Sequence, residues 1–208
     1  PLTAVYRRGC LGDSFRETLG SEFELLGMGD SVPGPDVTRL VPPAEGIPTP
    51  SQVDRYTLVL NRLATPYTYS AAQRRHVTSV HAVTTLTPAA GMITTVRDYA
   101  KFDLALKRGE LLQSSTLAAA WQPPMASAGI RLPHGVGWFV QTHNGEPIVW
   151  QFGVSDSGSS SMVMMAPNRG LTLVLFANSP GLVRPFALDK GDLVASPFGG
   201  LFLGMLVR

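Results

Sequence analysis

Residues 137–177 carry four short runs rich in β-branched, aromatic and large aliphatic side chains, and the residues between them dictate how those runs can pair. Gly137–Thr142 and Pro147–Phe152 are joined by His143-Asn144-Gly145-Glu146, and Asn-Gly is a strong signal for a tight antiparallel hairpin. Ser161–Met165 and Leu171–Ala177 are joined by Pro167-Asn168-Arg169-Gly170. In the last run Leu171, Leu173 and Leu175 share one face and Val174 and Phe176 the other, which predicts a central strand covered on both sides. Met162, Met164 and Met165 are most simply core filling at strand spacing. Trp121, Trp138 and Trp150 are read as packed side chains.

Helical periodicity frames this block. Residues 13–26 place Phe15, Leu19, Phe23 and Leu26 at three- and four-residue spacing, with Asp13 or Ser14 as the cap and Gly27 as the stop. Residues 95–108 gather Val96, Tyr99, Ala100, Phe102 and Leu106 on one face. Thr95 and Asp98 stand at capping-box spacing, Lys107 and Arg108 suit the dipole of the last turn, and Gly109 follows. A shorter helix is expected over residues 115–121. Ser196-Pro197 opens a final one, with Ser as cap and Pro in the first turn, whose apolar side chains should lie on the sheet. Between Pro33 and Pro50 six prolines and two glycines predict irregular chain. Residues 52–64 read equally as a helix (Val53, Tyr56, Leu60, Leu63) or a strand (Tyr56–Leu60), and residues 65–88 read as mostly irregular. The sum is an α+β fold: an antiparallel sheet covered by helices, with an irregular Pro-rich helical region. The helical and irregular part is placed at 1–94, and the helices plus sheet at 95–208.

Composition narrows the function classes. Hydrophobic residues make up 44% and charged residues 15%, enough for a real core, and the net charge is only +2. The one basic run, Arg74-Arg75-His76, is a solvated loop by its length, so nucleic acid is not an expected partner. The most apolar segment, residues 198–207, falls far short of the ~20 residues that span a bilayer. Pro1–Val5 has no charged n-region or long apolar run and does not read as a signal peptide. Cys10 is alone, so no disulfide forms within the chain. His76, His81, His134 and His143 lack the Cys or carboxylate company of a zinc site, and no metal or cofactor is expected.

The segment of most chemical interest is Trp150-Gln151-Phe152-Gly153, which opens into Val154-Ser155-Asp156-Ser157-Gly158. A strand that ends at Gly and runs into Gly/Ser-rich chain can line a site with backbone N–H groups. The serines that follow invite a nucleophile assignment, but Gly153-Val154-Ser155-Asp156-Ser157 fails Gly-x-Ser-x-Gly at its last position. A Ser/Gly cluster before a strand is read as a loop. The sequence contains no Ser-x-x-Lys and no Tyr-x-Asn; Tyr69-Ser70-Ala71 is a degenerate match read as a loop.

Four separated pieces, in order, carry a resemblance. Leu26-Gly27-Met28-Gly29-Asp30-Ser31, Pro88–Phe102 around Gly91-Met92-Ile93-Thr94-Thr95-Val96-Arg97-Asp98, Gly135-Val136-Gly137-Trp138, and Ala166–Ser179 around Pro167-Asn168-Arg169-Gly170 resemble segments of serine hydrolases related to class C β-lactamases. That family includes D-Ala-D-Ala carboxypeptidases, penicillin-binding proteins and esterases. The resemblance implies a β-lactamase/transpeptidase-like fold of which this chain is the C-terminal portion, the N-terminal part with the Ser-x-x-Lys and Tyr motifs preceding Pro1. It implies a bacterial, periplasmic or secreted protein without a cofactor.

The family's third motif, Lys-Thr-Gly or His-x-Gly, matches Gln151-Phe152-Gly153. By resemblance these residues and Val154 form the substrate-binding strand, with the Val154 N–H as an oxyanion donor. Gly153 would allow close backbone approach to the substrate. Gln151 cannot supply the positive charge that Lys or protonated His would offer a substrate carboxylate, so a neutral ester or amide suits it better than a β-lactam, with a β-lactam or a peptide as the other substrate classes. The implied function is a portion of a serine hydrolase working through an acyl-enzyme. The alternative is a non-catalytic remnant that binds a peptide, a cell-wall fragment or a partner protein. Uncovered apolar faces predict self-association, or pairing with a complementing N-terminal portion.

Overall fold

The computed structural model describes residues 14–207, and the chain falls into two compact units. The first comprises 14–64 with Ala82–Phe102; the second comprises Thr65–His81 with 103–207. Asp13 and Cys10 lie outside the described residues.

In the first unit, helix α1 (Phe15–Leu25) is capped by Ser14. The Ser14 Oγ accepts the Glu17 N–H and the Glu17 carboxylate accepts the Ser14 N–H, a reciprocal pair that satisfies two orphan donors. Helix α2 (Pro50–Leu60) resolves the ambiguity over residues 52–64 in favour of a helix. Thr49 and Gln52 form a second capping box, and Pro50 occupies the first turn, where it needs no N–H. One face of α2 buries Tyr56 and Val59 against Val32 and Val37. Only a short 3-10 turn, Val37–Arg39, interrupts the Pro-rich stretch.

The carboxylate of Asp98 organises this unit. It sits in the first turn of α3 (Val96–Lys107) and is almost fully buried. It accepts the Asp30 N–H at 2.8 Å, the Ser31 hydroxyl at 3.0 Å and the Lys101 ammonium at 2.8 Å. Thr95 caps α3 by accepting the Asp98 N–H. The capping box expected at Thr95–Asp98 is thus only half used, because the carboxylate reaches across to the 28–31 loop. Three charge-assisted bonds offset the burial of that charge.

The second unit is built on a four-stranded antiparallel sheet in the order β3-β4-β5-β6, with β3 Phe139–His143, β4 Glu146–Ser155, β5 Ser159–Ala166 and β6 Leu171–Ala177. Asn144 and Gly145 both take positive φ, 51° and 82°, as the two-residue hairpin turn requires. Among the described residues β6 pairs only with β5, so it is an edge strand and every residue in it is half-buried. The central position expected for Leu171–Ala177 is held instead by β5, in which Met162 through Ala166 are all buried. Alternating apolar residues on two faces did not separate the two cases, since both strands show them.

Helix α5 (Pro197–Leu206), capped by Ser196, packs Phe202 and Leu203 into the core formed by Ile148, Trp150, Met162 and Met164. The short helix α4 spans Ser114–Ala120.

Residues 65–88 are not mostly irregular. Strands β1 (Tyr67–Ser70) and β2 (Arg75–Thr78) form a hairpin, with Tyr69 opposite His76. Tyr69-Ser70 is therefore strand rather than loop. The hairpin is tied to the end of β6: the Tyr67 N–H donates to the Asn178 carbonyl at 2.8 Å, and the Asn178 side-chain amide donates to the Thr65 carbonyl at 2.8 Å. Local sequence gave little warning, because the hairpin's tethers come from more than a hundred residues away.

Candidate active site

Strand β4 changes character along its length. From Glu146 to Trp150 it pairs with β3, which ends opposite Trp150 at Phe139, and from Val149 it pairs with β5 as well. From Gln151 to Ser155 it pairs only with β5, in the register Gln151 with Val163 through Ser155 with Ser159. The cause lies just before β3. Gly137 takes φ 77°, a conformation that glycine adopts without a Cβ penalty, and the chain turns away instead of continuing the ladder.

Gln151 fills part of the vacated edge. Its Nε2 donates to the Gly137 carbonyl at 2.9 Å, and its Oε1 accepts the Phe152 N–H at 2.8 Å. The side-chain amide thereby satisfies one donor and one acceptor that a longer β3 would have met. In an antiparallel ladder successive amides point to opposite sides. The Val154 N–H therefore points the same way as that of Phe152, toward the side where β3 has ended. Val154 is 43% exposed.

The surroundings of this strand end are ordered by packing. Phe139, Trp150 and Phe152 stack along one face, with Phe139 4.5 Å from Trp150 and 5.7 Å from Phe152 between ring centroids. Gly153 lies opposite Ser161, and a Cβ built there would come within 2.9 Å of the Ser161 hydroxyl. Past Ser155 the turn 156–158 is held from two directions. Asp156 pairs with Arg184, and a Cβ on Gly158 would strike Pro66 at 2.5 Å, so the β1–β2 hairpin and this turn are in close contact. Sequence reasoning missed Pro66, Gly137 and Asn178 as parts of this region. Gly137 lay within the recognised Gly-Val-Gly-Trp piece, which was the one local signal available.

Of the serines after Gly153, Ser160 takes a structural position. Ser160 is buried; its hydroxyl donates to the Ser179 carbonyl at 2.6 Å and accepts the Leu182 N–H at 3.2 Å, pinning the turn after β6. His76 and His134 are exposed, each ring edge-on to an aromatic side chain, Tyr69 and Phe139 respectively. No group of three or more His, Cys, Asp or Glu that could hold a metal occurs among the described residues. Chemically, the end of β4 offers a backbone N–H on an unpaired strand edge and a neutral amide side chain beside it.

The fold is that of a β-lactamase-like serine hydrolase, an α+β protein. Residues 21–195 match the family described as Beta-lactamase, and the chain belongs to that family. Two solved structures share the fold. One is a penicillin-binding protein from Bacillus halodurans (19% identity, TM-score 0.57, 81% of this chain and 46% of that one). The other is a D-stereospecific amidohydrolase from a Streptomyces species (16% identity, TM-score 0.56, 95% of this chain and 50% of that one). The chain thus spans about half the length of each. No curated protein matches it significantly.

Proposed function

We propose that this chain is the part of a serine hydrolase that presents the substrate-binding strand, with the chemistry proceeding through an acyl-enzyme on an ester or a neutral amide. The observation that carries this reading is the outward-facing Val154 amide on the stretch of β4 that β3 leaves unpaired. A hydroxyl attacking a carbonyl drives negative charge onto its oxygen, and a fixed N–H aimed at that oxygen stabilises the transition state more than the ground state. A backbone donor needs no reorganisation to do so. In this reading the nucleophilic serine is supplied by polypeptide other than these 208 residues, which contain no Ser-x-x-Lys.

Gln151 sets the substrate class. Both ends of its amide are committed to the backbone, and it carries no charge. A substrate lacking a carboxylate beside the scissile bond fits this position. The same bonds favour a second reading, in which Gln151 occupies the substrate's place on the strand and the domain is a non-catalytic binder.

Labelling separates the two. The full-length protein is treated with a fluorophosphonate probe, and the modified serine is located by mass spectrometry. Labelling of a serine outside this sequence, together with turnover of a chromogenic ester, supports the hydrolase. Absence of labelling and of turnover favours the binder. A label on Ser155, Ser157, Ser159 or Ser161 overturns the assignment of the nucleophile.

A further inference from the structure

We propose that the first unit holds a binding site for a small aliphatic carboxylate, in a cavity of about 360 Å³ between α2 and the 27–30 loop. One wall is a single face of α2 and its end: Arg55, Leu58, Val59 and Arg62, spaced as one stripe. The opposite wall is Gly27, Gly29 and Asp30, with Asp98 and Lys101 alongside.

The charges in this cavity are unequally committed. Asp98 is saturated by its three donors, and Lys101 is spent on Asp98 and the Gly27 carbonyl. Arg62 pairs with Asp30 at 2.6 Å. Arg55 has no carboxylate partner among the described residues. Its Nη1 makes two bonds, at 3.4 and 3.3 Å, to the carbonyls of Met28 and Gly29, and its buried Nη2 makes none. A buried donor without a partner costs about 1–3 kcal/mol, and more when charged. The guanidinium also lies over the Tyr56 ring, 4.6 Å from its centroid; held there with two long bonds, it keeps one edge of its planar fork uncommitted, and that edge is well shaped for an oxyanion.

The remaining lining defines the rest of the ligand. Leu58 is 66% exposed and Val59 lies beside it, so an aliphatic group has an apolar surface to cover. Cβ atoms built on Gly27 and Gly29 meet nothing within 4 Å, which leaves that wall open to a ligand. Three cationic side chains face two carboxylates here, so a single negative charge is balanced, whereas a dianion meets the field of Asp30 and Asp98.

The test is an amide-resolved NMR titration of the full-length protein with sodium butyrate, run beside acetate, inorganic phosphate and butylamine at constant ionic strength. Butyrate is expected to saturate, to shift the amides of Gly27, Gly29 and Asp30, and to bind more tightly than acetate or phosphate. Arg55→Gln should weaken butyrate at least about tenfold, the loss of one charge-assisted pair. Leu58→Ser, at an exposed position that leaves the fold intact, should erase the advantage of butyrate over acetate. Shifts that never saturate, phosphate or butylamine binding as well as butyrate, or a folded Arg55→Gln with unchanged affinity would each overturn the proposal. If Arg55→Gln does not fold, Leu58→Ser alone decides: an undiminished preference for butyrate overturns it.

Discussion

The two halves of β4 lie on one strand and share one neighbour, yet they differ in almost every respect. The first half, through Trp150, pairs with β3 throughout and with β5 from Val149, and it buries Ile148, Val149 and Trp150 completely or nearly so. The second half, from Gln151, has lost one neighbour, and a side-chain amide stands in for part of it. The lesson is that a rigid half positions an open half. A backbone N–H can be aimed at a ligand only where the ladder stops, and it stays aimed only if the strand behind it cannot move.

The largest expected effect tests the rigid half. Trp150→Ala removes a side chain with no exposed surface and should cost about 3–5 kcal/mol, read as a lowered midpoint in urea. Val154→Ala, in the open half, should change that midpoint by less than about 0.5 kcal/mol. Equal losses at both positions would erase the contrast.

Next is Val154→Pro, which deletes the N–H from a position that needs none for its ladder. If the full-length protein works as proposed, the substitution should lower kcat by roughly 10²–10³, about 2.7–4 kcal/mol of transition-state stabilisation, while the unfolding midpoint barely moves. A variant of unchanged kcat would remove Val154 from the oxyanion role.

A smaller loss is expected for Gln151→Ala. It leaves the Phe152 N–H and the Gly137 carbonyl to water, at about 1 kcal/mol for each bond on the usual net scale. Faster amide hydrogen exchange at Phe152, with Trp150 unaffected, would show that the damage stays in the open half.

The smallest effect is with pH, and it should bypass β4 beyond Glu146. No ionisable side chain lies between Pro147 and Ser155. In the first unit, the Ser14 backbone N–H, then the Ser14 hydroxyl, holds the Glu17 carboxyl below its ordinary value of 4.5. Burial pushes Asp36 up, but the Thr85 hydroxyl and the Arg16 guanidinium outweigh it, and its carboxyl stays below 3.8. Both groups bind a proton less readily folded than unfolded. Their stabilisation is therefore in place above about pH 4.5 and fades as the pH falls through their depressed values. Glu17→Gln and Asp36→Asn should flatten the fall of Tm below that pH, and Gln151→Ala should leave the slope alone.

Much of this molecule could be read from local pattern. The Asn144-Gly145 hairpin, the Ser14 and Ser196 caps and the amphipathic run of α3 each depend on neighbours within a few residues, where stereochemistry and hydrogen-bond reach act directly. Family resemblance marked Gln151, Phe152, Gly153 and Val154 as the strand to examine. What escaped local reading depends on distant partners. The β1–β2 hairpin needs Asn178, the Asp98 carboxylate serves Asp30 and Ser31, and β6 is an edge while β5 is central, although both look apolar on two faces.

The sequence by itself determined the capped and turn-bounded elements, such as α1, α3, α5 and the Asn144-Gly145 hairpin, because capping, turn conformation and periodicity are short-range. Only the tertiary structure decided which strand was enclosed, which amides were left unpaired and which charge in the α2 cavity went without a partner. Those outcomes depend on where other segments end, and no residue carries that information about its own neighbours in space.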